Sequence, residues 1–354
     1  MKESKGLYAR NLMRLAGLLL GMALFAQVAA AQSFDIVNVA PGVYAAIGKN
    51  GTFGNGAFIV NSDGVIVVDT QARPSWARDL MAEIKKVTDK PVTTVINTHF
   101  HGDHTNGNMA YAAAFGPSLT IVGQENMKAD LMTKGAQSLA TSRDTAVPQA
   151  IARMSQQLAD GKDAQGNALT PEARQQLQAQ LDSQKSYLEE LKQVQITPPT
   201  KTYDKELTLT SGGRTMRLFH VGNAHTRGDT IIYLPKERVV ITGDLLTNGI
   251  PVMRNAYPAE WINTLDAIDK LDFETAIPGH GDVQHGKAQL EKLISYMRDM
   301  VAGVKDAAAK GMTLEQTEAA VDLSKHKADF PNFDASSKAA VDRAYQEATG
   351  KITD

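Results

Sequence analysis

The sequence predicts a layered α/β protein, and three observations carry that expectation. Continuous apolar runs, Gly64-Val65-Ile66-Val67-Val68-Asp69 and Thr93 to Ile96, read as buried strands. A helix-like stretch, Trp76 to Val87, lies between them, as expected of a sheet covered by helices. The strand pattern then returns late in the chain, with Leu207 to Thr210, Thr215 to His220, Thr230 to Leu234 and Val239 to Thr242.

Taken in order, the elements begin with residues 1–31, which differ from the rest. Lys2, Lys5, Arg10 and Arg14 precede the apolar run Leu15 to Phe25, and Ala29-Ala30-Ala31 offers a cleavage site before Gln32. This is the pattern of a secretory signal peptide, too short in its apolar run for a membrane anchor. Periplasmic or secreted localisation, with no stable anchor after cleavage, is the expectation. Val43 to Ile47 and Ala57 to Asn61 flank a Gly-rich tip that contains Phe53 and read as a hairpin. A domain spanning 32–310 is expected, interrupted at about 125–198 by a Gln-, Ala-, Lys- and Glu-rich helical insertion. Within it, Thr170 as N-cap and Pro171 at the first helical position open a helix running to Leu191, and Pro198 and Pro199 end the segment. Beyond Asp282 the chain is expected to be helical. Leu290, Leu293, Ile294, Met297, Met300, Val301 and Val304 form an apolar stripe. Thr313-Leu314-Glu315-Gln316 is a capping box within a C-terminal helical extension, 311–354.

Composition narrows the function classes. The chain has 354 residues, 43% hydrophobic and 21% charged, enough for a substantial core. It has no cysteine, so disulfides and thiolate ligands are excluded and any metal must be held by imidazole and carboxylate. The formal charge is −2; losing the leader, with four basic residues and one acidic, leaves −5. A mildly acidic chain without a basic tract is not built for nucleic acid, and a small-molecule substrate is the expected partner.

Asn97-Thr98-His99-Phe100-His101-Gly102-Asp103-His104 places three histidines and an aspartate directly after the strand-like run Pro91 to Ile96. In extended chain, side chains two apart point the same way, so His99 and His101 can hold one ion together. If the chain turns at Gly102, Asp103 and His104 can face a second. Two more of the eight histidines sit beside small residues after apparent strands: His225 in Gly222-Asn223-Ala224-His225-Thr226 and His280 in Pro278-Gly279-His280-Gly281-Asp282. Asp244 ends the run Val239-Val240-Ile241-Thr242-Gly243-Asp244. His220, His285 and His326 are expected in structural or packing roles, and Thr226 and Asp229 in holding their loop.

With these motifs in this order, the chain from about Asp35 to Lys287 resembles the metallo-β-lactamase superfamily. The resemblance implies an αβ/βα sandwich with the site at one edge of its two sheets. It implies that His99, His101 and His225 hold a first metal, Asp103, His104 and His280 a second, and that Asp244 bridges both. Asp69 matches the family's buried acid that props the ligand loop. Two zinc ions are the cofactors expected, with iron or manganese suited to the same donors.

The resulting expectation is an exported dinuclear zinc hydrolase. In it a metal-bridging hydroxide, oriented by Asp103, attacks an ester, thioester, lactone or lactam carbonyl. A β-lactamase is the runner-up, and an iron-dependent redox or sulfur-handling enzyme on the same fold a further alternative. Asp244 stands where the best-known zinc β-lactamases resemble one another in carrying cysteine, and Thr247 where many lactone hydrolases carry tyrosine. The Asn97-to-Asn108 wording and Asn255-Ala256-Tyr257-Pro258 resemble the periplasmic group related to sulfur-oxidation and quinoprotein-associated hydrolases. Substrate-binding residues are not legible. Phe53 as a flap and the helical insertion as a lid stand against plainer packing roles.

Overall fold

The computed structural model describes residues 34–49 and 54–352. The expected leader and Phe53 lie outside them. Thirteen described strands form two sheets. The first contains β1 (Phe34–Ala40), β2 (Val43–Gly48), β3 (Gly56–Val60), β4 (Val65–Val68), β5 (Val92–Ile96), β6 (Thr120–Gln124) and β7 (Lys201–Tyr203), paired in that order. The second contains β8 (Glu206–Ser211), β9 (Arg214–Phe219), β10 (Ile231–Leu234), β11 (Val239–Thr247), β12 (Thr275–His280) and β13 (Gln284–His285), also paired in order. β2 and β3 form the expected hairpin, with Val43 opposite Ile59 and Ala46 opposite Gly56. From β4 to β7 the pairing is parallel, which is why helices or longer excursions separate those strands.

Strand alternation builds the layers. Ile66 and Val68 of β4 pack with Ile232, Leu234, Val239 and Ile241 of the second sheet, filling the centre of the sandwich. Val65 and Val67 point the other way, to Leu80 and Ile84 of α1 (Pro74–Val87) and Tyr111, which lies on a later helix. α1 starts at Pro74, whose fixed φ suits a first helical position, and ends beside Lys85 and Lys86, favourable at the negative end of the helix dipole. The short α2 (Gly102–Thr105) carries part of the histidine motif, and α3 (Asn108–Phe115) follows it. The expected insertion is helical: α4 (Glu125–Asp130), α5 (Ala136–Thr141), α6 (Val147–Asp160) and α7 (Pro171–Leu191), with π-turns joining the first three. The Thr170 side chain accepts from Ala173 N at 3.2 Å, as its N-cap role requires.

The outer face of the second sheet is covered by α8 (Pro258–Asp269), α9 (Ala288–Ala309) and two C-terminal helices, α10 (Leu314–Ala320) and α11 (Phe333–Ala348). Trp261, Leu265, Leu293 and Met297 share that core with Phe330, Val341 and Ala344. The Thr313–Gln316 capping box is formed. The result is an αβ/βα sandwich, as expected. Two details depart from the sequence reading. After Asp282 the chain first adds the short strand β13 beside β12, and turns through Gly286 at φ +71° before helix begins. β11 also runs past Asp244 to Thr247. Its register against β12 shifts at Gly243, a left-handed residue (φ +53°) whose added Cβ would lie 2.6 Å from Thr98 Oγ1. Such a bulge re-aims the next side chain, here Asp244.

Candidate metal centre

β5 ends at Ile96, and its following loop crosses the edge of the sandwich. His99 Nε2 lies 3.0 Å from His101 Nδ1, which lies 3.1 Å from His225 Nε2. Asp244 Oδ2 is 3.5 Å from His225 Nε2 and 3.9 Å from His99 Nε2. These four residues form one group whose ligand atoms lie within 4.8 Å of one another. Asp103, His104 and His280 form a second such group. Asp103 Oδ2 is 3.3 Å from His280 Nε2 and 3.6 Å from His104 Nε2. Asp244 Oδ1 stands 3.3 Å from each of those two rings, so its two oxygens face the two groups. All seven candidate ligands therefore converge, His99, His101, His225 and Asp244 in one group and Asp103, His104 and His280 in the other.

The donor set fits divalent metal. His104 Nε2 and Asp244 Oδ1 are buried without a hydrogen-bond partner, an expensive condition that coordination would relieve. Imidazole and carboxylate without thiolate suit zinc, iron or manganese. The backbone also yields to the site: a Cβ at Gly279 would lie 2.0 Å from Asp244 Oδ1.

The neighbouring residues aim each ring. Asp69, itself at φ +60°, accepts from Thr98 N at 2.8 Å and Thr98 Oγ1 at 2.7 Å, and meets His104 Nδ1 at 2.8 Å. This contact turns His104 Nε2 toward Asp103 and Asp244. Thr98 Oγ1 lies 3.0 Å from His99 Nδ1, and Asn255 Oδ1 lies 3.0 Å from His101 Nε2. Each contact frees the opposite ring nitrogen. Asp229 accepts from Thr226 N at 2.7 Å and Thr226 Oγ1 at 2.8 Å, holding the His225 loop. His220 turns instead to Asp229 O, His285 lies exposed on β13, and His326 meets Asp299 at 2.7 Å beside Tyr296.

Protonation divides the groups. Burial lowers His99 and His101, and takes His225 down to about 3 against the pull of Asp244. Burial also works against charge on His104 and His280, but the carboxylates prevail. His104 is raised well above its ordinary value by Asp103, Asp244 and Asp69. His280 is raised to about 10 by Asp244 and Asp103. Burial would raise Asp103; the charges of His104 and His280 hold it below the usual carboxylate range. Asp244 is likewise lowered, His280 and His104 overcoming burial.

Among the described residues several cavities reach His101, and two of them are lined by both His101 and Asp103. One, about 470 Å³, runs past Thr247, Ile250, Val252 and Pro331. The other, about 280 Å³, runs under the insertion past Ala72, Leu139, Tyr187 and Leu191. His101, Asp103 and Arg254 line both. The first wall is fixed from far along the chain: Asn332 accepts from Ile250 N at 2.8 Å and donates to Ile250 O at 2.9 Å. Arg254, Tyr187 and Asn332 were not singled out by sequence reasoning. Arg254 adjoins the Asn255-to-Pro258 segment, but nothing local marks the other two.

The family model for the metallo-beta-lactamase superfamily matches residues 50–139 and 157–280. The stretch it skips falls within the helical insertion. A linear primary-alkylsulfatase of Pseudomonas sp. is 25% identical over 287 residues, 77% of this chain and 50% of that protein. The 2,4-dinitroanisole O-demethylase subunit alpha of Nocardioides sp. is 24% identical over 241 residues, 66% of this chain and 55% of that one. The chain thus spans about half the length of these curated relatives. Among solved structures, the sec-alkylsulfatase Pisa1 from Pseudomonas sp. matches with a TM-score of 0.61 at 19% identity, covering 90% of this chain and 51% of that one. A metallo-beta-lactamase from Pontibacter korlensis matches with a TM-score of 0.51 at 15% identity, covering 75% of this chain and 99% of that one. At such identities the structural likeness speaks for the fold alone. Motif order, convergent ligands and a family model matched over more than half of its length together place this chain in the metallo-beta-lactamase superfamily.

Proposed function

We propose that this chain is an exported, dinuclear zinc hydrolase acting on an ester-type bond of a small, negatively charged substrate. The observation that carries the reading is the convergence of seven imidazole and carboxylate donors into two adjacent groups with Asp244 between them. Two divalent ions there would supply Lewis acidity and bring the pKa of a coordinated water toward neutrality. The chain's own residues do the rest. Asp103, whose carboxylate lies 3.3 Å from His280 Nε2 and 3.6 Å from His104 Nε2, would accept a hydrogen bond from the attacking water and orient it. Asn255 holds His101, and Asp69 holds His104 and Thr98, so the donor atoms are fixed before substrate arrives. Arg254 is exposed where the two cavities meet and has no ion-pair partner among the described residues. Its planar fork is suited to a carboxylate or sulfate group of the substrate. The leader-like first segment supports export.

A second reading, cleavage of a sulfate ester, is favoured by the extent of one likeness. The linear primary-alkylsulfatase matches 77% of this chain at 25% identity, a type 2 metallo-beta-lactamase of Bacillus cereus 65% at 22%. The test is hydrolysis by zinc-loaded protein beginning at Gln32, with a His101→Ala control. The panel holds an aryl carboxylate ester, an acyl-homoserine lactone, a glutathione thioester, a chromogenic cephalosporin and a medium-chain alkyl sulfate. Turnover of an ester, thioester, lactone or sulfate, absent in the control, is expected. Turnover of the cephalosporin alone would assign a β-lactamase. Silence across the panel with two zinc ions bound would overturn the reading, and metal analysis of protein from its native host would then test the iron alternative.

A further inference from the structure

The narrower cavity is built largely by the helical insertion, and its walls have an order of their own. Leu139 and Leu191 give it apolar sides, with Ser138 and Ser142 also in its lining and His101, Asp103 and Arg254 at the metal centre. Tyr187 of α7 is half-buried in the same wall, and its hydroxyl has no hydrogen-bond partner among the described residues. Its ring is not free to wander. The Arg73 guanidinium lies 4.6 Å from the Tyr187 ring centroid and 4.4 Å from that of Trp76. Arg73 also pairs with Glu190 at 3.7 Å, and Glu190 accepts from both Ser75 N and Ser75 Oγ at 2.9 Å. Arg73 is only 6% exposed, and a buried cation holding α7 in this way fixes where Tyr187 and Leu191 stand relative to Asp103.

We propose that this cavity is the binding arm for an apolar limb of the substrate, and that Tyr187 donates a hydrogen bond to an acceptor atom near the reacting bond. The inference deepens the hydrolase reading and rests on it for the position of that bond. The wider cavity then takes the other limb, and Arg254 stands where the two meet. A volume of about 280 Å³ suits a short alkyl or aryl group. Tyr187 is a binding residue here, with no part in proton transfer.

The test uses zinc-loaded protein and two sets of probes, straight-chain carboxylates from acetate to decanoate and their analogues with one ether oxygen in the chain. Binding is measured by calorimetry and needs no turnover. Affinity for the alkanoates is expected to rise roughly fourfold per methylene until the arm is full, then level off. Ser138→Trp, an exposed position in the lining, should bring the plateau several carbons earlier. Ser142→Trp serves as a second plug if the first variant fails to melt cooperatively. Tyr187→Phe should weaken an ether analogue about tenfold and leave the plain alkanoates unchanged, a split that a merely structural tyrosine would not produce. Chain-length dependence that is absent, or a plateau that stays where the unsubstituted protein has it in a folded plugged variant, overturns the arm. Loss of affinity for both probe sets in Tyr187→Phe overturns the hydrogen bond. Length-dependent, pluggable binding in a protein inert toward every ester would instead retain the arm and sink the hydrolase reading.

Discussion

His225 and His280 occupy matching places in the two ligand groups, each a single histidine delivered from the second sheet, yet their rings titrate in opposite directions. His225 sits at the buried end, where desolvation takes it down to about 3. His280 is half-buried beside Asp244 and Asp103, and is pushed up to about 10. The same contrast separates His99 and His101 from His104. In one group burial holds all three imidazoles toward their neutral, lone-pair form. The other stores positive charge against its acids and must give up protons to bind. Asp244 thus does two things: its carboxylate oxygens face the two groups, and its charge raises the more open one.

Removing that acid should break the contrast most completely. Asp244→Ala is expected to lower turnover on the order of 10³-fold or more and to bring bound zinc below two per chain, measured by steady-state kinetics and elemental analysis. Asp69→Asn acts one step out, on the ring that Asp69 aims and on Thr98. Metal affinity should fall ~10–100-fold, with the second group hit harder because His104 loses its charged partner. Competition with a chromophoric chelator would resolve the two sites, and equal weakening of both would contradict the assignment. Asn255→Ala should cost the first group about tenfold and leave the second untouched, since Asn255 meets His101 alone among the ligands.

The smallest effect is calorimetric and carries the sign of the contrast. In the metal-free chain at pH 7, His280 lies below its raised value of about 10 and holds its proton, while His225 lies above its value of about 3 and holds none. Zinc must therefore displace protons on entering the second group and not the first. Its affinity there should climb with pH up to about 10. Binding heats in buffers of different ionisation enthalpy should differ for the second equivalent of zinc, and the difference should shrink in His280→Ala.

How much of this was legible in the sequence depends on how far apart the partners stand. His99, His101, Asp103 and His104 lie within six positions of one another, and the bend after β5 together with the turn of α2 brings them together. The layers were readable from Val65 to Val68 because a strand buried on both faces leaves no polar alternation. Thr170 and Thr313 announced their helices by local capping chemistry. The rest is made by contacts between distant segments. Asn332 clamps Ile250 across 82 positions, and Arg73 meets Tyr187 and Glu190 more than a hundred residues away. Asn108 donates to Asn97 Oδ1 at 2.8 Å and to Thr197 O at 2.9 Å, tying the ligand loop to the end of the insertion. No periodicity signals such pairs. The bulge at Gly243 was hidden for a related reason: in sequence it is one more small residue in an apolar run, and only the approach of Thr98 shows why a side chain there has no room.

The central claim is that two metal shells stand side by side and share Asp244. X-ray absorption at the zinc edge, on protein loaded with two equivalents, addresses it directly. The account predicts nitrogen and oxygen ligands with several imidazoles, no sulfur, and a metal–metal distance of about 3.5–4 Å that disappears in Asp244→Ala. A single bound zinc, or two with no metal–metal scattering, would contradict it.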